Sequence, residues 1–149
     1  MMEDEMNMKK MNSKFATVIF VLSILLSIPA FAYSDIDYRA SEQIMSYYIN
    51  ATAAGDGEIA ISVSIDGTGK MTRIGAKRIV IYNKINNVWA LADSMSQNDP
   101  GMSSSNAYFH SNTIFYSGKS GTEYKIEVTV FAQDSSGSDS RTQTFYVTA

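Results

Sequence analysis

The chain has 149 residues, a formal net charge of −3 and no cysteine. That mildly acidic balance lacks the basic field that draws nucleic acid or an anionic membrane. Without thiols there is no disulfide, no thiolate metal site and no N-terminal cysteine for lipid attachment, so a folded domain here rests on its apolar core.

The first elements read as a targeting segment. Lys9, Lys10 and Lys14 precede the apolar run from Phe15 to Ile28, and Pro29-Ala30-Phe31-Ala32 ends in the small-x-small form that a signal peptidase cuts. About 14 apolar residues suit the core of a Sec-type signal peptide and fall short of the roughly 20 that cross a bilayer. The acidic Glu3-Asp4-Glu5 is unusual so early, and a start at Met6, Met8 or Met11 gives a cleaner basic opening. The expectation is a helical signal peptide over 1–32, removed on export. Export without cysteines suits a bacterial secretory route.

Residues 33–44 are polar and read as an exposed lead-in to a single domain over 45–149. Ala40 to Tyr48 fits either a short helix, started by Ser41-Glu42, or the beginning of a strand through Tyr47, Ile49 and Ala51. Gly55-Asp56-Gly57 is a turn. Glu58 to Asp66 then alternates cleanly, with Ile59, Ile61, Val63 and Ile65 on one face and Ala60, Ser62 and Ser64 on the other. One buried and one wet face is the pattern of an antiparallel sheet. Asp66-Gly67-Thr68-Gly69 punctuates the chain. From Met71 to Asp93 runs a central hairpin, Ile79 to Tyr82 and Val88 to Leu91, whose polar turn spans Asn83 to Asn87 and whose second arm carries the only tryptophan, Trp89.

Asp99-Pro100-Gly101 predicts a type II turn, because proline presets φ at its second position and glycine accepts the positive φ of its third. Ala107 to His110 and Thr113 to Tyr116 are short aromatic strands. After Ser117 to Gly121, Glu123 to Gln133 alternates through Tyr124, Ile126, Val128 and Val130. The loop Asp134 to Ser140 leads to a last strand, Arg141 to Thr148. About seven strands at a spacing near 8–12 residues, with no helical period between them, predict an all-β fold: a two-sheet antiparallel sandwich.

Gly121-Thr122-Glu123-Tyr124, just ahead of the Ile126/Val128/Val130 alternation, resembles the approach to strand F of fibronectin type III or immunoglobulin-like domains. In that likeness the tyrosine hydroxyl caps the corner. The chain departs from those families in lacking a tryptophan in Glu58 to Asp66 and the immunoglobulin cysteine pair. A broader likeness is carried by Arg39 to Glu42, Gly67 to Ala76, Ile79 to Tyr82, Asp99 to Met102, Phe109 to Ser111, Tyr124 and Asp134 to Thr142. In that order these pieces resemble a family of small exported proteins of unknown function from Gram-positive bacteria. The resemblance implies export and one β domain, and brings no activity with it.

No catalytic constellation stands out. His110 is the only histidine, and no acid flanks it in sequence; a general base needs a nucleophile and an orienting partner. A Gly-x-Ser-x-Gly elbow is absent, and Gly118 to Gly121 is too short to cradle phosphate. Asp134 to Asp139 brings two carboxylates, too few alone for the six to eight oxygens that calcium prefers, so neither metal nor cofactor is expected. The aromatic residues are more suggestive. Adjacent pairs such as Tyr47-Tyr48, Tyr108-Phe109, Phe115-Tyr116 and Phe145-Tyr146 point to opposite faces when extended, so one member of each leaves the core side. Tyr48, Trp89, Tyr108, Tyr116 and Tyr146 are the candidate ligand contacts.

The expectation is an exported, non-enzymatic binding or structural module, released outside the cell, that meets an extracellular protein or glycan. It involves no nucleic acid and, after signal cleavage, no membrane. The alternative is a small secreted hydrolase using His110 with a convergent carboxylate such as Asp99. N-terminal sequencing of the exported protein is expected to begin at Tyr33; recovery with residues 1–32 attached overturns the cleavage assignment.

Overall fold

The computed structural model describes residues 42–149. The expected signal peptide over 1–32, and the lead-in as far as residue 41, lie outside the described residues. Six strands follow: β1 (Ile44–Gly55), β2 (Glu58–Ile85), β3 (Val88–Ser96), β4 (Ser103–Ser117), β5 (Glu123–Gln133) and β6 (Ser138–Thr148). No helix occurs among the described residues. The open choice at Ala40 to Tyr48 therefore falls to strand from Ile44 onward.

All strands belong to one antiparallel sheet, ordered β1-β2-β5-β6, with β3 and β4 also paired to β2. The expectation of about seven strands in two sheets is corrected to six in one, because two predicted breaks are not breaks. Asp66 to Gly69 lies within β2, which runs for 28 residues. Ser111 and Asn112 do not interrupt β4 either, since they pair with Ser64 and Val63 of β2. Polar side chains on a strand with one free edge keep access to water and need not end it.

The sheet curls along β2. Its first half, Glu58 to Asp66, lies between β1 and β4, and its second half, Arg73 to Asn83, pairs with β5, with β3 alongside from Arg78. The inward parity changes twice on the way. Ile59, Ile61, Val63, Ile65 and Met71 are buried at odd positions, Ile74 and Ala76 at even ones, and Ile79 and Ile81 at odd ones again. The first change follows the irregularity at Asp66/Met71 on the β4 side, and the return to odd positions coincides with the one at Ala76/Arg78 on the β5 side. An extra residue bends a strand and re-aims its side chains, so both halves of β2 face one core. That core also takes Ile126, Val128 and Val130 from β5; each fully buried aliphatic side chain contributes about 1.5–3 kcal/mol. Val80 and Phe131, on the opposite face by alternation, are buried as well.

Opposite edges of the curl meet through the start of β1. Gln43 donates its backbone N–H to Asp139 Oδ2 (2.9 Å) and its Nε2 to Ser136 Oγ (3.1 Å). Gln43 is 3% exposed and Ile44 6%. These two residues belong to the packed body and not to an exposed lead-in, because Ser136 of the β5–β6 loop and Asp139 at the start of β6 accept the glutamine's donors and so permit its burial.

The Pro100 turn takes its expected form, and the hairpin turn expected over Asn83 to Asn87 is corrected to two residues, because Asn83, Lys84 and Ile85 pair with β3. Asn86 (φ 49°) and Asn87 (φ 65°) make a two-residue loop between Ile85 and Val88, the double positive φ of a type I′ hairpin. Met102 N–H donates to the Asp99 carbonyl (3.2 Å), and Gly101 has φ 78°, as the type II turn requires. Tyr124 Oη accepts from the Lys119 N–H at 2.7 Å.

The tightest place is Gly75, at the end of the β4 pairing. Its φ is 148°, and a Cβ there would collide with the Met102 carbonyl and lie 2.6 Å from Ser103 Cα. Both neighbours are backbone, and Met102 is pinned by the Ala76 N–H, which donates to its carbonyl at 2.7 Å. Gly75→Ala is expected to destabilise the fold by about 2 kcal/mol or more, read as a lowered urea midpoint; an unchanged midpoint refutes the assignment of this corner.

Candidate functional site

Two places gather functional side chains: a buried histidine beside the Pro100 turn, and an exposed aromatic face on the second half of the sheet.

His110 points to the core side of β4 opposite Ile65 and is 6% exposed. Nδ1 lies 3.0 Å from Ser104 Oγ, whereas Nε2 is buried without a hydrogen-bond partner. Burial pushes its pKa below the ordinary 6.5; the Gly101 backbone beside it opposes that shift without good hydrogen-bond geometry to Nε2. A carboxylate in contact would instead stabilise the imidazolium. The suggested partner Asp99 is otherwise engaged, its Oδ2 accepting from the Ser96 N–H at 2.6 Å. The structure thus joins His110 to Ser104, and Asp99 to its own turn.

Because the native ring favours its neutral form, the unfolded chain binds the proton more readily, and stability falls as pH drops through and below about 6.5. His110→Asn keeps an acceptor for Ser104 and removes the titration. Between about pH 7 and pH 5 the wild type is expected to lose more thermal stability than this variant; parallel Tm profiles overturn the assignment.

The Asp134 to Asp139 loop is closed by its own chain. Asp134 Oδ1 accepts from the Ser136 N–H (2.7 Å), Ser136 Oγ (2.6 Å) and the Gly137 N–H (3.0 Å). Those bonds, with the Ser136 hydroxyl first, hold its pKa below the usual carboxylate value. No cluster of three or more His, Asp or Glu suited to a metal occurs among the described residues.

Of the five aromatic candidates, Trp89 and Tyr146 come together, with ring centroids 5.7 Å apart and planes at 49°. They stand on β3 and β6, on the side turned away from the core. The register explains the approach: Leu91 pairs with Tyr82, Tyr82 with Lys125, and Lys125 with Tyr146, while Trp89 pairs with Lys84. Both rings lean over the two strands between them. Lys84 Nζ lies 5.3 Å from the Trp89 ring centre, and Lys125 Nζ 4.1 Å from that of Tyr82. Each lysine is also ion-paired, Lys84 to Glu123 (2.8 Å) and Lys125 to Glu127 (2.9 Å). Tyr146 remains 64% exposed.

Tyr48 and Tyr108 are exposed but elsewhere. Tyr48 shares the outer face of the first half of the sheet with Phe109 and Phe115, in a row with Ser64 and Ser111. Tyr108 lies where β2 bulges, and so both it and Phe109 are exposed. Tyr116 requires correction as a surface contact. It packs against the core and meets Tyr124 edge-on, with centroids 5.6 Å apart, leaving Phe115 as the outward member of the pair. Its hydroxyl pKa is raised, first by burial and then by Tyr124 and Asp93.

Sequence reasoning missed Tyr82, Lys84 and Lys125 as members of the aromatic face. The signal available was their place on strands, outward by alternation from Ile81 and Ile126.

The chain matches no known family and no curated protein. A solved structure that it resembles is the crystal structure of Spo0M, a sporulation control protein from Bacillus subtilis, with a TM-score of 0.41 at 11% identity. The match covers 73% of this chain and 50% of that one, so the chain spans half the length of that neighbour.

Proposed function

We propose that the protein is an exported, non-enzymatic binding module that works outside the cell, and that its ligand is a glycan met by the Trp89–Tyr146 face. The observation that carries this reading is the ring pair itself: an exposed Tyr146 and a half-buried Trp89 with centroids 5.7 Å apart on one sheet face, Lys84 Nζ lying against the Trp89 ring. A sugar ring offers an apolar C–H face bordered by hydroxyls. Aromatic faces beside hydrogen-bonding groups complement it, because they supply apolar area and polar tips together. A protein partner would favour anchors set in a pocket that becomes fully desolvated, and these rings stand on an open face.

The curled antiparallel sheet supports a β module, and the Tyr124 corner bond is the one feature it shares with fibronectin III and immunoglobulin-like domains. The non-catalytic reading draws on the His110 environment, where the ring contacts a serine hydroxyl and Asp99 serves the neighbouring turn.

Screening the exported domain on a glycan array tests the reading. Trp89→Ala with Tyr146→Ala is expected to weaken the selected glycan at least tenfold, as loss of a central aromatic contact does, without changing the fold measured by circular dichroism. Full retention of binding in the double variant removes the ring pair from the site.

A further inference from the structure

On the same outer face, further along β2, an open cleft of about 440 Å³ is lined by Lys77, Arg78, Ser96, Gln97, Asn98 and Thr129. Its placement follows from the bulge: Arg78 pairs with Thr129 while Ala76 pairs with Val130, so Lys77 is the extra residue on β2. Successive strand residues ordinarily point to opposite faces. Here the bulge brings two consecutive cations into one cleft, both exposed. Neither is in an ion pair with a described residue, unlike Lys84 and Lys125.

The rest of the lining carries no charge. Ser96, Gln97, Asn98 and Thr129 supply hydroxyl and amide groups, and the Asp99 carboxylate next in sequence is turned to the Ser96 N–H. The floor is braced. Gln97 N–H donates to the Lys77 carbonyl (2.9 Å), and the Gln97 carbonyl accepts from Arg73 and from Ser103 Oγ (2.7 and 2.8 Å). The chain as a whole is acidic, so a cleft with two uncompensated cations and neutral donors is a local exception. Guanidinium and ammonium groups beside hydroxyl and amide donors suit an oxoanion, which accepts from several directions at once.

We infer that the Lys77–Arg78 cleft binds the acidic group of the glycan that stacks on Trp89 and Tyr146, so that the ligand is an anionic polysaccharide. The inference rests on the glycan reading above. The Arg78 row lies four residues along β2 from the Tyr82 row, about 13 Å at strand rise, a span longer than one sugar ring, and so the ligand is a chain. Between the rows lie Ser94 and Glu127, the second paired with Lys125. That pairing limits repulsion of an acid crossing the face.

Dextran and dextran sulfate share a backbone and differ in charge, and titration calorimetry of the exported domain with each, at low and high salt, separates the two readings. Dextran sulfate is expected to bind the wild type, with an affinity that falls as salt screens the cleft. Lys77→Gln with Arg78→Gln is expected to weaken it at least tenfold, whereas Lys119→Gln, on a remote turn, leaves it unchanged. Absence of dextran sulfate binding, or equal binding by the Lys77/Arg78 variant, overturns the anion site. If binding depends on Lys77 and Arg78 and is unaffected by Trp89→Ala with Tyr146→Ala, the stacking reading fails and with it the shared ligand.

Discussion

Because β2 hydrogen-bonds to β1, β3, β4 and β5 along its 28 residues, no other strand can be placed until it bends. A straight strand of strict alternation would put every odd residue on one flat face, and β1 and β6 would lie far apart. The four residues from Gly67 to Lys70 are opposed on β4 by Tyr108 alone, and the strand turns over just after them, between Met71 and Ile74. The extra residue at Lys77 then restores the parity, bringing Ile79 and Ile81 to the core that Ile59 and Ile61 already face. Gly75 lies between these two irregularities, where the Met102 backbone leaves no room for a side chain. The curl is thus written into a dozen residues, and the apolar core of a cysteine-free chain depends on it.

The elements with strict two-residue alternation were legible in the sequence. Ile59 to Ile65 and Tyr124 to Val130 bury the residues that alternation assigns to the core, and the Pro100-Gly101 turn has the φ its residues select. What misled was punctuation. Glycine and polar residues usually end strands, yet Gly67 and Gly69 lie in a bulged but continuous β2, and Ser111-Asn112 lies in β4. Sequence pattern does not distinguish a bulge from a turn, because both favour the same small and polar residues; what differs is whether pairing resumes with the same neighbour. Gln43 was misread for a related reason. A polar side chain is buried only where partners are waiting, and its partners, Ser136 and Asp139, are more than ninety residues away.

The candidate site was legible as residue types and hidden as geometry. Trp89 and Tyr146 were both singled out, but their contact depends on strand order, since two strands lie between them. Tyr116 was placed outward because either member of Phe115-Tyr116 satisfies alternation. The register decides: Phe115 faces Ala60 on the wet side and Tyr116 faces Ile59 on the core side. Lys77-Arg78 gave no signal at all, since neighbouring cations on a regular strand are separated by the sheet.

The same bulge that returns β2 to the core therefore also brings Lys77 and Arg78 into one cleft. Tyr82 and Arg78 on the central strand, and Lys125 and Thr129 on its neighbour β5, are paired on both sides; Lys84 is paired with β3 alone, and the bulged Lys77 is held through its carbonyl by the Gln97 N–H. A backbone ordered in this way spends less of the interaction energy on ordering when a ligand arrives. The Lys84–Trp89 and Lys125–Tyr82 contacts act in the same direction, holding the rings of a shallow face that has no walls to do so. On the proposal of a polysaccharide ligand, the flexible polymer would pay most of the ordering entropy, and affinity would depend on several subsites along the sheet more than on the depth of any one of them.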